Sequence, residues 1–161
     1  MSLLPFDKVS FFGGLQKPQG PHIRMHFSGR AVYTDLTLGK PFEGYENVVF
    51  GGMVFGILDV VNWYAIFMST KKICMTRKTD MDFFKPMECD KPYRAHGKLL
   101  RVEDRDVRAT AWIEDGGGER CAQATALFRE PKGVDRARFM SRFDFTGVSP
   151  HMKEFFLSEA P

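Results

Sequence analysis

Asp59 is the one charged residue in MVFGILDVVNWYAIFM, residues 53–68, an apolar run that opens directly after a Gly51-Gly52 pair. Moving an ionised carboxylate into apolar surroundings is costly unless it is paired or used. Asp59 is therefore either structural, capping nearby backbone or bonding Asn62 three residues along the same helical face, or kept for chemistry. As chemistry, it is a general base toward water or a nucleophile toward a carbonyl. The glycines supply a complementary half. Amides at a helix start are unsatisfied and sit at its positive end, so Gly51 or Gly52 can hold an oxyanion, and a missing side chain lets the reacting group approach. Asp59 stands about two turns further on, at ~1.5 Å per residue.

Other residue types exclude chemistries rather than add them. Cys74, Cys89 and Cys121 are odd in number and lack paired metal-ligand spacing, and His22, His26, His96 and His151 show none either. The thiols read as reduced ones in a cytoplasmic protein, and no metal site is expected. A formal charge of +3 is too mild to argue for nucleic acid, though compatible with an anionic small ligand. With 43% apolar and 27% charged residues, the chain is an ordinary globular sequence rather than a disordered one. No basic segment followed by an apolar core opens it, and no run of 18 apolar residues occurs, so no membrane segment is expected.

At 161 residues the chain suits one domain, read as a lead-in (1–20), a main domain (21–131) and a C-terminal extension (132–161). The Phe-, Gly- and Pro-rich lead-in is irregular or briefly helical. From about His22 to Leu38 the pattern is strand-like with a break at Ser28-Gly29, and GKPFEGYENVV follows as a loop. About 17 residues without proline then carry Val54, Ile57, Leu58, Val61 and Ala65 at helical spacing. Because Met53, Phe55, Trp63, Ile66 and Phe67 are also apolar, this helix must be wrapped by other structure. Strands begin again in KKICMTRKTDMDFFKP and continue near Tyr93–Val102, Asp106–Glu114 and Arg120–Phe128. Their separators EDRD and DGGGE are hairpin turns, so the strands form an antiparallel meander. Inward alanines, including Ala122, Ala124 and Ala126, leave room for the helix. The extension is helical near 134–142 and 150–158, with Phe139, Phe143, Phe155 and Phe156 anchoring it on its own domain or a sister subunit, where it could also shape a pocket.

Over roughly residues 22–130 this arrangement resembles the hotdog-fold thioesterases, in particular the phenylacetate-type acyl-CoA group with its His-Gly-Gly signature. Here Phe50-Gly51-Gly52 stands at the signature and Asp59 lies nine residues after Phe50, the family's offset for its acid. FFKP at Phe83 to Pro86 matches a downstream F-x-x-P-like segment, and Thr76 lies ten residues before that proline, where several members carry a hydroxyl. The resemblance implies an α+β fold, an antiparallel sheet wrapped around one long helix, and hydrolysis of an acyl-CoA thioester. Coenzyme A enters only as part of the substrate, with no separate cofactor. The implied assembly is a homo-oligomer, a dimer at least and a tetramer as the larger option. Asp59 is the implied base or nucleophile, a helix-start amide the oxyanion donor, and Thr76 the group that orients water, reaching in from the opposite protomer. Thr76 has a plain alternative as an ordinary β-branched strand residue, the commoner fate of a strand threonine. Candidate substrate contacts are Phe50, Asn47, Asn62, Trp63, Phe84 and Lys85. Phe50, where the signature has His, either makes the pocket more apolar or fills core. It also opens a second function, an acyl-CoA-binding protein without turnover that acts as a sensor.

Overall fold

The computed structural model describes residues 1–159. The chain runs β1 (Ser2–Leu3), β2 (Phe6–Asp7), β3 (His26–Phe27), β4 (Val32–Thr37), β5 (Glu43–Tyr45), β6 (Val48–Val49), α1 (Gly51–Thr70) and β7 (Met75–Phe83). It continues through β8 (Pro92–Glu103), β9 (Asp106–Asp115), β10 (Arg120–Arg129), α2 (Arg136–Met140), β11 (Phe143–Asp144) and α3 (Pro150–Leu157). Seven strands form one antiparallel sheet in the order β1-β3-β4-β8-β9-β10-β7, so β7, though first after the helix, lies at an edge. The sheet wraps α1.

Small inward residues make this wrapping possible. Ala95, Ala111, Ala122 and Ala124 are buried in one cluster with Ile57, Leu58, Val61 and Ala65 of the helix, and Ala109 and Ala126 in another with Ile66. At Gly97 of β8 a Cβ would lie 2.7 Å from Val61 Cγ1 and 3.0 Å from the Val61 carbonyl, so only glycine admits the helix there. Each fully buried Val, Leu, Ile or Phe contributes roughly 1.5–3 kcal/mol through lost apolar hydration, which is what holds a helix this apolar. α1 is long and apolar enough to cross a bilayer, but most of it is buried inside the protein, as in a core helix. It ends at Lys71, which adopts a left-handed conformation and donates its amide to Phe67 O at 2.7 Å.

Where the sequence pattern was strongest the elements match it, with β8, β9 and β10 each within a residue or so of expectation. Three corrections concern weaker segments. The lead-in takes the irregular of its two readings and adds the two-residue strands β1 and β2, which the sequence pattern did not show. The expected loop before α1 holds a hairpin, β5 with β6, turned at Asn47 with φ 61°. The extension forms its two helices with β11 between them, and β11 pairs with β2, so the two ends of the chain are zipped together. Two-residue strands bury too little to leave an alternation in sequence. The aromatic anchors attach the extension to its own domain: Phe156 lies 4.4 Å from Phe67 and 5.1 Å from Phe143, ring centre to ring centre.

Candidate active site

Asp59 sits half-buried on α1, and its carboxylate Oδ1 accepts a hydrogen bond of 2.6 Å from the Thr76 hydroxyl. A β-bulge aims that hydroxyl. Phe83, Met81 and Thr79 of β7 pair with the inward residues Ala122, Ala124 and Ala126, which would put Arg77 next on the same face. Instead Lys78 pairs with Leu127 and Thr76 with Phe128, so Arg77 is the extra residue and Thr76 turns inward. The threonine lies on the same chain as the acid. This corrects the expectation that it comes from an opposite protomer. Asn62 is not the partner of Asp59: it is fully buried, and its amide atoms find no partner among the described residues. Burial pushes the Asp59 carboxyl above the ordinary carboxylate range, and the Thr76 bond only partly offsets it.

A cavity of about 450 Å³ opens beside this pair. Asp59 and Thr76 line it, while Val60, Trp63 and Tyr64 continue along the helix, joined by Met75, Cys74 and Phe128 from the other side. The terminal segments contribute Asp7, Ser10, Gly13, Ile23 and Met25 from one end of the chain and Phe139, Arg142 and Phe143 from the other. Sequence reasoning named Trp63 but missed most of this wall, because only the zipping of the termini brings it together; the one signal was the spacing of aromatics in the extension. Cys74 is a neutral thiol in this wall, its pKa pushed up to about 11 by burial and by nearby Glu130.

The helix start forms a second location. Phe50 precedes α1 with extended backbone, and no side chain caps this end. Met53 and Val54 are the first amides to bond back, both to the Phe50 carbonyl, which leaves those of Gly51 and Gly52 as free donors. The Phe50 ring lies over this turn: a Cβ on Gly52 would fall 2.3 Å from it. The ring is 56% exposed, which rules out core filling. A groove of about 370 Å³ beside Gly51 is lined by Tyr45, Phe83, Phe84, Lys85 and Pro86 among others. Lys85 is already engaged by Asp115 at 2.6 Å and Glu119 at 2.5 Å, so it is not a free cation for a ligand. Asn47 is an exposed turn residue and lines neither cavity, and neither does Asn62. Among the described residues no cluster of His, Cys, Asp and Glu could hold a metal ion, and the three cysteines are free.

The candidates therefore divide into Asp59, Thr76 and Trp63 at one place and Phe50, Gly51, Gly52, Phe84 and Lys85 at another. From Gly51 to Asp59 the rise along the helix is about 12 Å. A carbonyl bonded to a glycine amide thus lies beyond reach of the acid on the same chain.

Residues 46–122 match the sequence profile of the thioesterase superfamily. The matched segment, a little under half of the chain, lies within a hotdog fold. An uncharacterized protein of Schizosaccharomyces pombe, C26H8.11c, is 23% identical over 147 residues, with 84% of each chain covered. Among solved structures, the hotdog chain overlays a thioesterase superfamily protein, RHA08564, with a TM-score of 0.72 at 24% identity. The match covers 76% of this chain but 60% of that one, so this chain spans under two thirds of that relative's length. The PaaI protein from the phenylacetic acid degradation operon of E. coli matches with a TM-score of 0.65 at 13% identity, covering 71% of this chain and 83% of that one. The protein smu.793 of Streptococcus mutans, solved bound to acetyl CoA, matches with a TM-score of 0.63 at 13% identity, covering 68% and 88%. At these identities the structural matches establish the fold.

Proposed function

We propose that this protein hydrolyses acyl-CoA thioesters at sites completed by two protomers. The observation that carries the proposal is the Asp59–Thr76 hydrogen bond in the wall of a largely apolar cavity, beside an edge strand of the sheet. Superfamily membership of residues 46–122 supports the thioester, and the acetyl CoA bound to smu.793 supports coenzyme A as the carrier.

The edge strand explains why two copies are needed. β7 has no neighbour on its outer side, and exposed Met75, Phe83, Phe84, Phe50 and Tyr45 surround it. A nine-residue edge with unpaired backbone groups and exposed apolar side chains at both its ends is a template for pairing with another chain. Antiparallel pairing of two β7 strands about Thr79 sets Lys78 opposite the partner's Asp80, a favourable charge match. It also lays the Thr76 end of one strand beside the Phe83 end of the other. Phe83 packs near Gly51, where a Cβ would lie 3.6 Å from its ring. The acid of one protomer then faces the helix-start amides of its partner, which removes the 12 Å separation within one chain.

In the proposed reaction Asp59, held by Thr76, takes a proton from water as the water oxygen attacks the thioester carbon. The oxyanion forms against a glycine amide of the partner subunit. Collapse expels the coenzyme A thiolate, which takes up a proton, leaving a carboxylic acid and a thiol. Binding without turnover is the second reading, and Phe50 in place of the signature His favours it.

Thiol release from short, medium, long and aromatic acyl-CoAs distinguishes the two. Release by the wild type and its loss by about 10²–10⁴-fold in Asp59→Asn, the range for a positioned base, supports hydrolysis. No release from any substrate, with acyl-CoA binding retained, would establish the binding protein.

A further inference from the structure

We infer that the strap formed where the two ends of the chain zip together sets the length and polarity of the acyl group, with Phe139 as its stop. The inference rests on reading Asp59 as the acid beside the thioester. More than half of the residues lining the Asp59 cavity lie outside the superfamily segment, and the strap contributes Asp7, Phe139, Arg142 and Phe143.

The strap is fastened from both sides. Asp7 pairs with Phe143 in the two-stranded sheet, Lys8 donates its amide to Arg142 O at 3.0 Å, and the Arg142 guanidinium is salt-bridged to Asp7. Arg142 also lies over the Phe139 ring, 5.3 Å from its centre. Apart from Asp59, the two charges that border the cavity, Asp7 and Arg142, thus satisfy each other. No spare cation remains for a carboxylate at the far end of an acyl group, so the chamber takes an uncharged, apolar acyl group. A charged terminus would lose its hydration without compensation.

Chamber length follows from the rings. Trp63 stands one turn beyond Asp59 and is stacked against Phe67 at 5.2 Å and Phe143 at 5.9 Å, ring centre to ring centre. Phe143 is buried in the core. Phe139 is only half-buried, touches both Trp63 and Phe143 and sits on the short α2, which makes it the removable end wall.

The test measures affinity by calorimetry for non-hydrolysable thioether analogues of straight-chain acyl-CoAs of increasing length, together with their ω-carboxyl counterparts. Wild type is compared with Phe139→Ala and with Val60→Phe, which fills the chamber from the helix side; circular dichroism checks the fold of each. Wild-type affinity should rise with length to a ceiling and then fall. Phe139→Ala should move the ceiling to longer chains and Val60→Phe to shorter ones, with changes of about tenfold per misfit step, the scale of a methylene in an apolar pocket. ω-Carboxyl analogues should bind at least as much weaker. Folded variants with an unmoved ceiling, or equal affinity for charged termini, would overturn the inference. Parallel thiol-release assays keep the two failures apart. A ceiling that shifts without turnover sinks hydrolysis and keeps the strap, whereas turnover with an unmoved ceiling does the reverse.

Discussion

Ionising Asp59 costs more in the fold than in water because the carboxyl is half-buried, and both catalysis and stability should report it. Burial raises its pKa in the fold, so a base at this position becomes competent only above the ordinary carboxylate range. The acidic limb of kcat/KM should therefore lie above that range. Thr76→Val keeps the shape and removes the hydroxyl that opposes the shift, so the limb should move to still higher pH as kcat falls. An unmoved limb would remove Thr76 from the site. Stability takes the opposite sign from a salt-bridged acid. With its folded pKa raised above 3.8, the proton binds more tightly in the fold, and stability is lost as pH rises from about 3.8 through the folded value. Asp59→Asn carries no such penalty and can still accept the Thr76 bond. Its melting temperature should exceed the wild type's at pH 7, with the gap narrowing toward pH 4. The acid was legible because a lone charge in an apolar run is conspicuous. Thr76 was legible only through its offset from Pro86. Asn47 and Asn62 are equally polar in sequence, yet one points into a solvent-facing turn and the other into the core; residue type does not encode aim.

The elements carry the site's geometry through local irregularities. Turn residues between β8, β9 and β10 announce the meander, and the glycine pair announces the helix, so the sheet and its central helix were readable. The bulge at Arg77 was not, since one extra residue in a strand leaves the composition unchanged while reversing which side chain meets Asp59. The helix start makes its own prediction. Proline is well accommodated in the first helical turn and lacks the amide hydrogen. Gly51→Pro meets only ordinary contact with Phe83, whereas Gly52→Pro must displace the Phe50 ring. The variant that removes the working donor should lower kcat by about 10²–10³-fold with acyl-CoA affinity largely kept, as for loss of one oxyanion donor. The other should leave kcat near the wild-type level. If neither lowers kcat, the helix start is not the oxyanion site.

At the scale of the whole molecule the separation along α1 is what the proposed assembly must bridge. The chain's own termini already cover the outward side of the helix with β2, β11 and the aromatic extension. The long exposed edge is β7. The proposed two-fold dimer through β7 would make each site from Asp59 and Thr76 of one protomer and the helix-start amide of the other, which yields a prediction no single-chain site can meet. Asp59→Asn and the inactive glycine variant are each defective in both sites of their own homodimers. In a mixed dimer, one site receives the intact acid from the glycine variant and the intact amide from Asp59→Asn, while the other site receives both defects. Equal mixing by co-expression gives half mixed dimers with one working site each, so thiol release should return to about a quarter of the wild-type rate. Mixing the purified homodimers without exchange should restore nothing. If co-expression also restores nothing while ultracentrifugation shows mixed dimers, acid and amide act within one chain and the β7 assembly is wrong.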